Sequence, residues 1–258
     1  MSHPSLSIYG LALLDYMRGK RDETLVLERD DGFRESLPVS SFFRKESRFS
    51  KAEQKALELC RGRVLVIGAG TGSQALALQN RGLIVSSIDI SPEAVEVMRL
   101  RGVREPLCAD VMACRESDYD TLLLLGRGIG LTGKLARLGG LFKHLGTLIR
   151  TGGQCLVQSR DVTGTEEERH LRYHRTNEAA NRYAGELKLR LIYHDRTGAY
   201  FDWLHVDETS LFLAADAEGW FGDVIMKDDE NHYLARLTRY ADTGANDFNH
   251  PSHHGGSL

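Results

Sequence analysis

The sequence predicts an α/β fold: a seven-stranded, mostly parallel sheet with helices on both faces, an antiparallel C-terminal edge and an inserted β-hairpin. Three observations predict it. Between Arg63 and Ser159, short apolar runs alternate with helical segments, the pattern of a parallel sheet with right-handed crossovers. A glycine-rich loop, Gly68-Ala69-Gly70-Thr71-Gly72, follows the first of those strands and opens a helix. Two strand-like runs near the end, 220–226 and 232–238, flank an acidic turn and so pair antiparallel.

Residues 1–50 alternate between short helical and turn-like patterns and read as a cap or lid segment. Among them are Leu11-Ala12-Leu13-Leu14 and the turn signal Asp30-Asp31-Gly32. A helix begins near Ser50, where Ser50 and Glu53 have capping-box spacing, and runs to residue 59. The continuous apolar run Val64-Leu65-Val66-Ile67 fits a strand buried on both faces. A helix over 73–80 and a strand over 83–88 follow, the strand ending at Asp89. Ser91 caps the next helix, Pro92 fits its first turn, and the helix continues to Arg101.

The third strand is short, 107–109; the fourth, 120–125, is apolar after its first two residues. A long amphipathic helix over 131–150 ends before Gly152-Gly153, and 154–159 gives the fifth strand. The alternation then stops. Residues 161–184 are highly charged and helical in part, and 186–194 with 199–205 flank the hairpin signal Asp195-Arg196-Thr197-Gly198. A helix over 207–218 leads into the final strand pair. The main domain thus spans 51–240, with 160–206 inserted, and 241–258 read as a disordered tail rich in Gly, His, Asn and Ser.

Lys plus Arg is 33 and Asp plus Glu is 36, a formal net charge of -3. That balance gives no electrostatic reason to expect nucleic-acid binding, which usually needs a basic face. The four cysteines, at 60, 108, 114 and 155, form no CxxC pair, so neither a zinc site nor a disulfide framework is indicated. Cys108 and Cys155 lie in apolar runs and read as small buried hydrophobes. His250, His253 and His254 lack companion cysteine or carboxylate ligands in a fixed scaffold, so no metal is expected. No secretory signal is visible, and no apolar run approaches the roughly 20 residues that span a bilayer. The expected setting is cytoplasmic, with no membrane partner.

The chemistry concentrates in the glycine loop and Asp89. Glycines let a backbone approach a ligand closely, and the following helix offers free amide donors. Asp89 stands at the end of the next strand, 17 residues beyond Gly72, where a carboxylate can accept from both ribose hydroxyls of an adenosine ligand. A dinucleotide fingerprint would need a third glycine where this chain has Ser73; the tighter loop suits a ligand without a pyrophosphate.

The segment VLVIGAGTG at 64–72, with Asp89, Asp110 and the paired glycines before Gln154, resembles the class I S-adenosylmethionine-dependent methyltransferases. The resemblance covers about residues 60–160 and implies a Rossmann-like sheet with S-adenosylmethionine as cofactor. It extends to a group of uncharacterised bacterial methyltransferases through Ala12-Leu13-Leu14-Asp15-Tyr16, Phe42-Phe43-Arg44, Gly128-Ile129-Gly130-Leu131, Trp203-Leu204-His205-Val206-Asp207 and Tyr233-Leu234-Ala235-Arg236-Leu237. It implies that Gly68, Ala69, Gly70 and Gly72 face the methionine part, Asp89 and Ile90 the ribose, and Asp110 with Val111 the adenine. For Asp110 a helix N-cap or loop carboxylate is the alternative role.

Some positions depart from the pattern. Val66 stands where the superfamily often has an acid, Arg127 where the bacterial group has asparagine, and Gln158-Ser159-Arg160-Asp161 where that group has Asp-Ser-Ser-Asp. The Asn/Asp-Pro-Pro-aromatic motif of many amide and adenine N-methyltransferases is absent, Leu125-Gly126-Arg127-Gly128 standing in its place.

Acceptor contacts are expected from Arg127 and from the insertion, with Tyr173, His174, Tyr183, His194, Tyr200, Trp203 and His205 as candidates. Arg127 suits a carboxylate or phosphate, with a surface salt bridge as its plain alternative. His174 reads as a solvated histidine, Tyr193 and Trp203 as packing residues, and the arginines at 169, 172, 175 and 182 as a solvated helix face with acidic 166–168. The expected function is methylation of a small or medium-sized organic acceptor at oxygen or nitrogen. A degenerate protein that binds the cofactor, its product or a partner without transferring methyl is the alternative. Ser73 and the terminal strand pair disfavour a nicotinamide oxidoreductase.

Overall fold

A computed structural model describes residues 4–240. The predicted tail and its histidines lie outside the described residues. The strands are β1 (Thr24–Arg29), β2 (Arg34–Pro38), β3 (Arg63–Ile67), β4 (Ile84–Asp89), β5 (Leu107–Cys108), β6 (Tyr119–Leu124), β7 (Ile149–Arg160), β8 (Glu186–Tyr193), β9 (Arg196–Thr197), β10 (Phe201–Leu204), β11 (Trp220–Lys227) and β12 (His232–Arg239). The helices are α1 (Pro4–Met17), α2 (Lys51–Leu59), α3 (Ser73–Asn80), α4 (Pro92–Leu100), α5 (Leu138–Leu148), α6 (Glu168–Ala179) and α7 (Glu208–Asp216).

Seven strands form the main sheet in the order β11-β12-β7-β6-β3-β4-β5. Its five strands from β7 to β5 run parallel, and β12 and β11 add an antiparallel edge, as the sequence predicts. Alternation along β3 explains why both faces are covered. Leu65 and Ile67 join Leu122, Val157, Leu141 and Phe142 under α5 and α7. Val64 and Val66 join Leu123, Leu156, Leu78 and Met98 under α2, α3 and α4. Each such side chain fully removed from water contributes roughly 1.5–3 kcal/mol.

The helix starts follow their caps. Ser50 and Glu53 form the reciprocal capping box, and Ser91 Oγ accepts the Ala94 amide at 3.2 Å. The Asp207 carboxylate accepts from Ser210 at the head of α7.

Four expectations need correction. The N-terminal segment is not only helical and turn-like: α1 is followed by a β1–β2 hairpin turning at Asp30-Asp31-Gly32. That hairpin joins the inserted one in a second, antiparallel sheet, β10-β8-β1-β2, with β9 on β8. The helix expected over 131–150 is shorter, because Gly133 takes a left-handed φ of 71° and closes a separate 3-10 turn before α5. Gly152-Gly153 sits inside β7, where the register against β6 shifts. Cys155 is buried but Cys108 is exposed, since β5 is a two-residue edge strand.

A third apolar cluster, Ala12, Leu13, Leu25, Ala94, Val97, Leu191 and Tyr193, joins α1 to α4 and to the second sheet. This cluster holds the second sheet beside the carboxyl ends of the main strands. Among the described residues, no helix is long and apolar enough to cross a membrane.

Candidate active site

At the end of β3 the chain reverses through Gly68, Gly70 and Gly72, with φ of 66°, 56° and 73°. L residues rarely adopt these angles. A Cβ placed on Gly68 would meet nothing within 4 Å, so open space lies beside the loop there. Ala69 is buried and its amide donates to the Ile88 carbonyl at 3.0 Å, fixing the loop to the end of β4.

Asp89 ties the loop to the next helix. Its Oδ2 accepts the Gly70 amide at 2.8 Å and its Oδ1 the Ser91 amide at 2.9 Å. The residue is only 8% exposed, and burial raises the carboxyl pKa while the backbone amides of Ser91, Gly70 and Ile90 pull it back. A carboxylate oxygen accepts more than one hydrogen bond, so each retains capacity for a ligand hydroxyl. Beside it, the Ala109 amide donates to the Asp89 carbonyl at 3.0 Å, which sets Asp110 and Val111 next to Ile90. The exposed Asp110 caps a 3-10 turn by accepting the Met112 amide at 2.9 Å, and Val111 is buried with its carbonyl 2.8 Å from His144 Nε2. The eight predicted cofactor residues therefore lie side by side at the ends of β3, β4 and β5.

Tyr9 carries no motif in the sequence, yet α1 brings its hydroxyl to 2.8 Å from where a Gly70 Cβ would stand. Burial raises its pKa, and the nearby Asp89 charge adds to the effect. Phe42 meets Tyr9 edge to face at 5.2 Å between ring centres, and its carbonyl accepts from Thr71 Oγ1 at 2.5 Å. Only tertiary packing brings these residues to the loop.

The acceptor candidates separate into two groups. Tyr173, Tyr183, His194 and Tyr200 are engaged structurally. Tyr173 donates to Asp30 at 2.8 Å with Arg29 over its ring, and Tyr183 donates to Asp207 at 2.5 Å. His194 pairs with Glu23 at 2.8 Å, and Tyr200 lies 3.4 Å from Glu28. His174 is not solvated as expected: it faces inward from α6 at 9% exposure, and burial lowers its pKa. Arg169 and Arg175 do lie on the exposed face, paired with Glu167 and Glu168.

The other group gathers at the main strand ends. Arg127 follows β6 in a left-handed conformation, φ 64°, and its half-buried guanidinium has its pKa lowered by burial. Trp203 lies against Gly130 so closely that any Cβ there would run into the indole. His205 is 8% exposed, and burial plus the charges of Arg127, Arg160 and His232 bring its pKa down to about 3. Opposite them stands the second sheet. Leu27 pairs directly with both Glu35 and Leu191, so these side chains share the face that packs on α1. Glu35 on that face is near enough to Arg127 for its charge to act on it.

The methyltransferase-domain family profile matches residues 65–126. A comparison with curated protein sequences gives no match. A methyltransferase of Bacteroides fragilis, solved with S-adenosyl-L-homocysteine, superposes with a TM-score of 0.81 at 32% identity, over 93% of this chain and 98% of that one. A Methanosarcina mazei methyltransferase shares the fold at 13% identity, TM-score 0.57, over 75% of this chain and 99% of its own. So does the sugar N-methyltransferase of a Streptoalloteichus species, at 11% identity and TM-score 0.53, over 78% of this chain and 92% of its own. With its glycine loop, its buried Asp89 and a relative this similar along nearly the whole chain, the protein belongs to the class I S-adenosylmethionine-dependent methyltransferases, enzymes whose cofactor is S-adenosylmethionine.

Proposed function

We propose that this enzyme methylates a small or medium-sized organic acceptor, at oxygen or nitrogen, in the space between the strand ends and the inner face of the second sheet. The observation that carries this reading is the position of the Arg127–Gly130 loop. It lies under Trp203 of the second sheet, and a Cβ on Gly128 would stand 4.0 Å from the Ile67 carbonyl at the start of the glycine loop. Acceptor-facing and cofactor-facing segments are thus adjacent.

Gly68, Ala69, Gly70 and Gly72 are assigned to the methionine part, Asp89 and Ile90 to the ribose, and Asp110 and Val111 to the adenine. The cofactor supplies an already activated methyl group on a sulfonium. What the chain does is orient the acceptor in line and exclude water, with Trp203 and Leu27 as apolar walls. The segment 1–50 and the inserted hairpin act as the cover, Tyr9 touching the loop and Trp203 the acceptor side. An acceptor hydroxyl would need a base; burial beside Arg127 and Arg160 brings the His205 pKa down to about 3, which makes its imidazole too weak a base for that role.

Val66 favours a second reading. It is buried among Val64, Leu123 and Leu156 and stands beside Ser87 of β4, at a position where the resemblance leads one to expect an acid. A protein that binds cofactor or product without turnover would tolerate that. The two readings separate by assaying S-adenosylhomocysteine formation against a panel of small alcohols, phenols, amines and carboxylates. Acceptor-dependent product supports methyl transfer. Product binding without turnover on any member would favour the second reading.

A further inference from the structure

Beyond the cofactor edge, the strand ends carry two guanidinium groups, Arg127 and Arg160, that form no close ion pair among the described residues. Gly126, one residue before Arg127, donates its amide to Gln158 Oε1 at 2.9 Å, which fastens the loop after β6 to the end of β7. Two residues further along β7, Arg160 shares a face with Gln158 and stands opposite His232 of β12. The segment after β10 is fixed to the same place: Ser159 Oγ and Tyr233 Oη both donate to the Val206 carbonyl, at 3.0 and 2.7 Å. His205 is the residue before Val206. Four separate segments, the loop after β6, the end of β7, the segment after β10 and the start of β12, therefore bring Arg127, Arg160, His205 and His232 together.

The neighbouring acids form no close ion pair with the two arginines. His232 holds Asp228 at 3.3 Å and Glu230 at 3.7 Å, so its partners are taken. Arg160 donates through Nε to the Glu230 carbonyl at 3.2 Å, a neutral acceptor that orients the guanidinium. Asp161 pairs with Lys227 instead. Glu35 and Glu230 influence Arg127 and Glu167 feels the charge of Arg160, but among the described residues neither Arg127 nor Arg160 has a carboxylate within 4 Å. A half-buried guanidinium without a counter-ion is unfavourable, and its planar fork matches a carboxylate or a phosphate in two parallel hydrogen bonds.

We propose that Arg127 and Arg160 form an anion-binding subsite for the methyl acceptor, so that the acceptor carries a carboxylate or phosphate monoester near its reacting atom. The subsite rests on the methyltransferase reading, since it gains its meaning from the adjacent glycine loop. Trp203, on Gly130 of the same loop, offers a flat apolar wall, so the anion would be attached to an aromatic or alkyl body.

The test is titration of the full chain, saturated with S-adenosylhomocysteine, with matched probes: benzoate against benzamide, and phenyl phosphate against phenol. Calorimetry gives affinities, and imidazole NMR signals of His205 and His232 report the place of binding. The anionic member of at least one pair is expected to bind tenfold or more tightly than its neutral partner and to move both imidazole signals. Benzoate preference points to a carboxylate acceptor, phenyl phosphate preference to a phosphate. Arg127→Asn keeps a residue that tolerates the left-handed backbone and should abolish the preference while leaving S-adenosylhomocysteine affinity unchanged. Arg160→Gln should weaken it in the same direction. Equal binding of charged and neutral probes, or a preference that survives both substitutions, overturns the subsite. Failure of S-adenosylhomocysteine to bind at all overturns the methyltransferase reading instead, so the two failures are distinct.

Discussion

Two buried titratable side chains of the site, Asp89 and His205, are set in opposite ways. Asp89 is penalised by burial but compensated by amide donors, so it can remain an acceptor for a diol. His205 has no such compensation, because its charged neighbours share the sign it would acquire. Its folded pKa of about 3 lies below the ordinary 6.5, so the unfolded chain takes up a proton that the folded chain refuses. Stability is therefore retained above pH 6.5 and lost as pH falls from there toward 3. His205→Gln should remove one such proton uptake and flatten the loss between pH 7 and pH 5 by on the order of 1–2 kcal/mol. Urea unfolding of both proteins at the two values measures it; parallel losses would contradict a neutral buried His205.

At the scale of elements, the central strands β3 and β6 were legible because both faces are buried and the sequence reads as an apolar run, as Val64 to Ile67 and Leu122 to Leu124 do. The caps of α2 and α4 were legible because Ser50, Glu53 and Ser91 satisfy backbone amides within their own turn. The β1–β2 hairpin was not. Thr24–Arg29 mixes charged and apolar residues, and its partner β8 lies some 160 residues away, so only the fold supplies its core. Contacts between segments far apart in the chain likewise hid the roles of Tyr9 and Glu35 and the burial of His174 on the inward face of α6. The contact between the glycine loop and Asp89 was legible because adjacent strands in order are enough to bring them together. The contact between Gly130 and Trp203 joins the two kinds of element. Gly130→Ala should displace the indole, cost roughly 1–3 kcal/mol of stability and lower methyl transfer, with S-adenosylhomocysteine affinity kept. Thermal unfolding and product binding check it, and an unchanged melting temperature would show that Trp203 does not rest there.

The described residues form two sheets, joined by the apolar cluster around α1 and by the Gly130–Trp203 contact. The main sheet presents the loop ends, and α1 links the second sheet to α4 through Ala12, Leu13, Ala94 and Val97. Because Tyr9 of α1 touches the glycine loop and is close to Asp89, occupancy of the loop should steady the cover. Hydrogen exchange in α1 and β1 is expected to slow on adding S-adenosylhomocysteine, while α5, on the far face of the main sheet, stays unchanged. Uniform slowing across the chain, or none in α1, would separate the N-terminal segment from the site.

The most direct measurement is a calorimetric titration with S-adenosylhomocysteine, with Asp89→Ala as control. The account predicts a dissociation constant near micromolar, about -8 kcal/mol, in the parent protein and loss of binding in the variant. Parent protein that does not bind, or a variant that binds equally well, would contradict the placement of the cofactor between the glycine loop and Asp89.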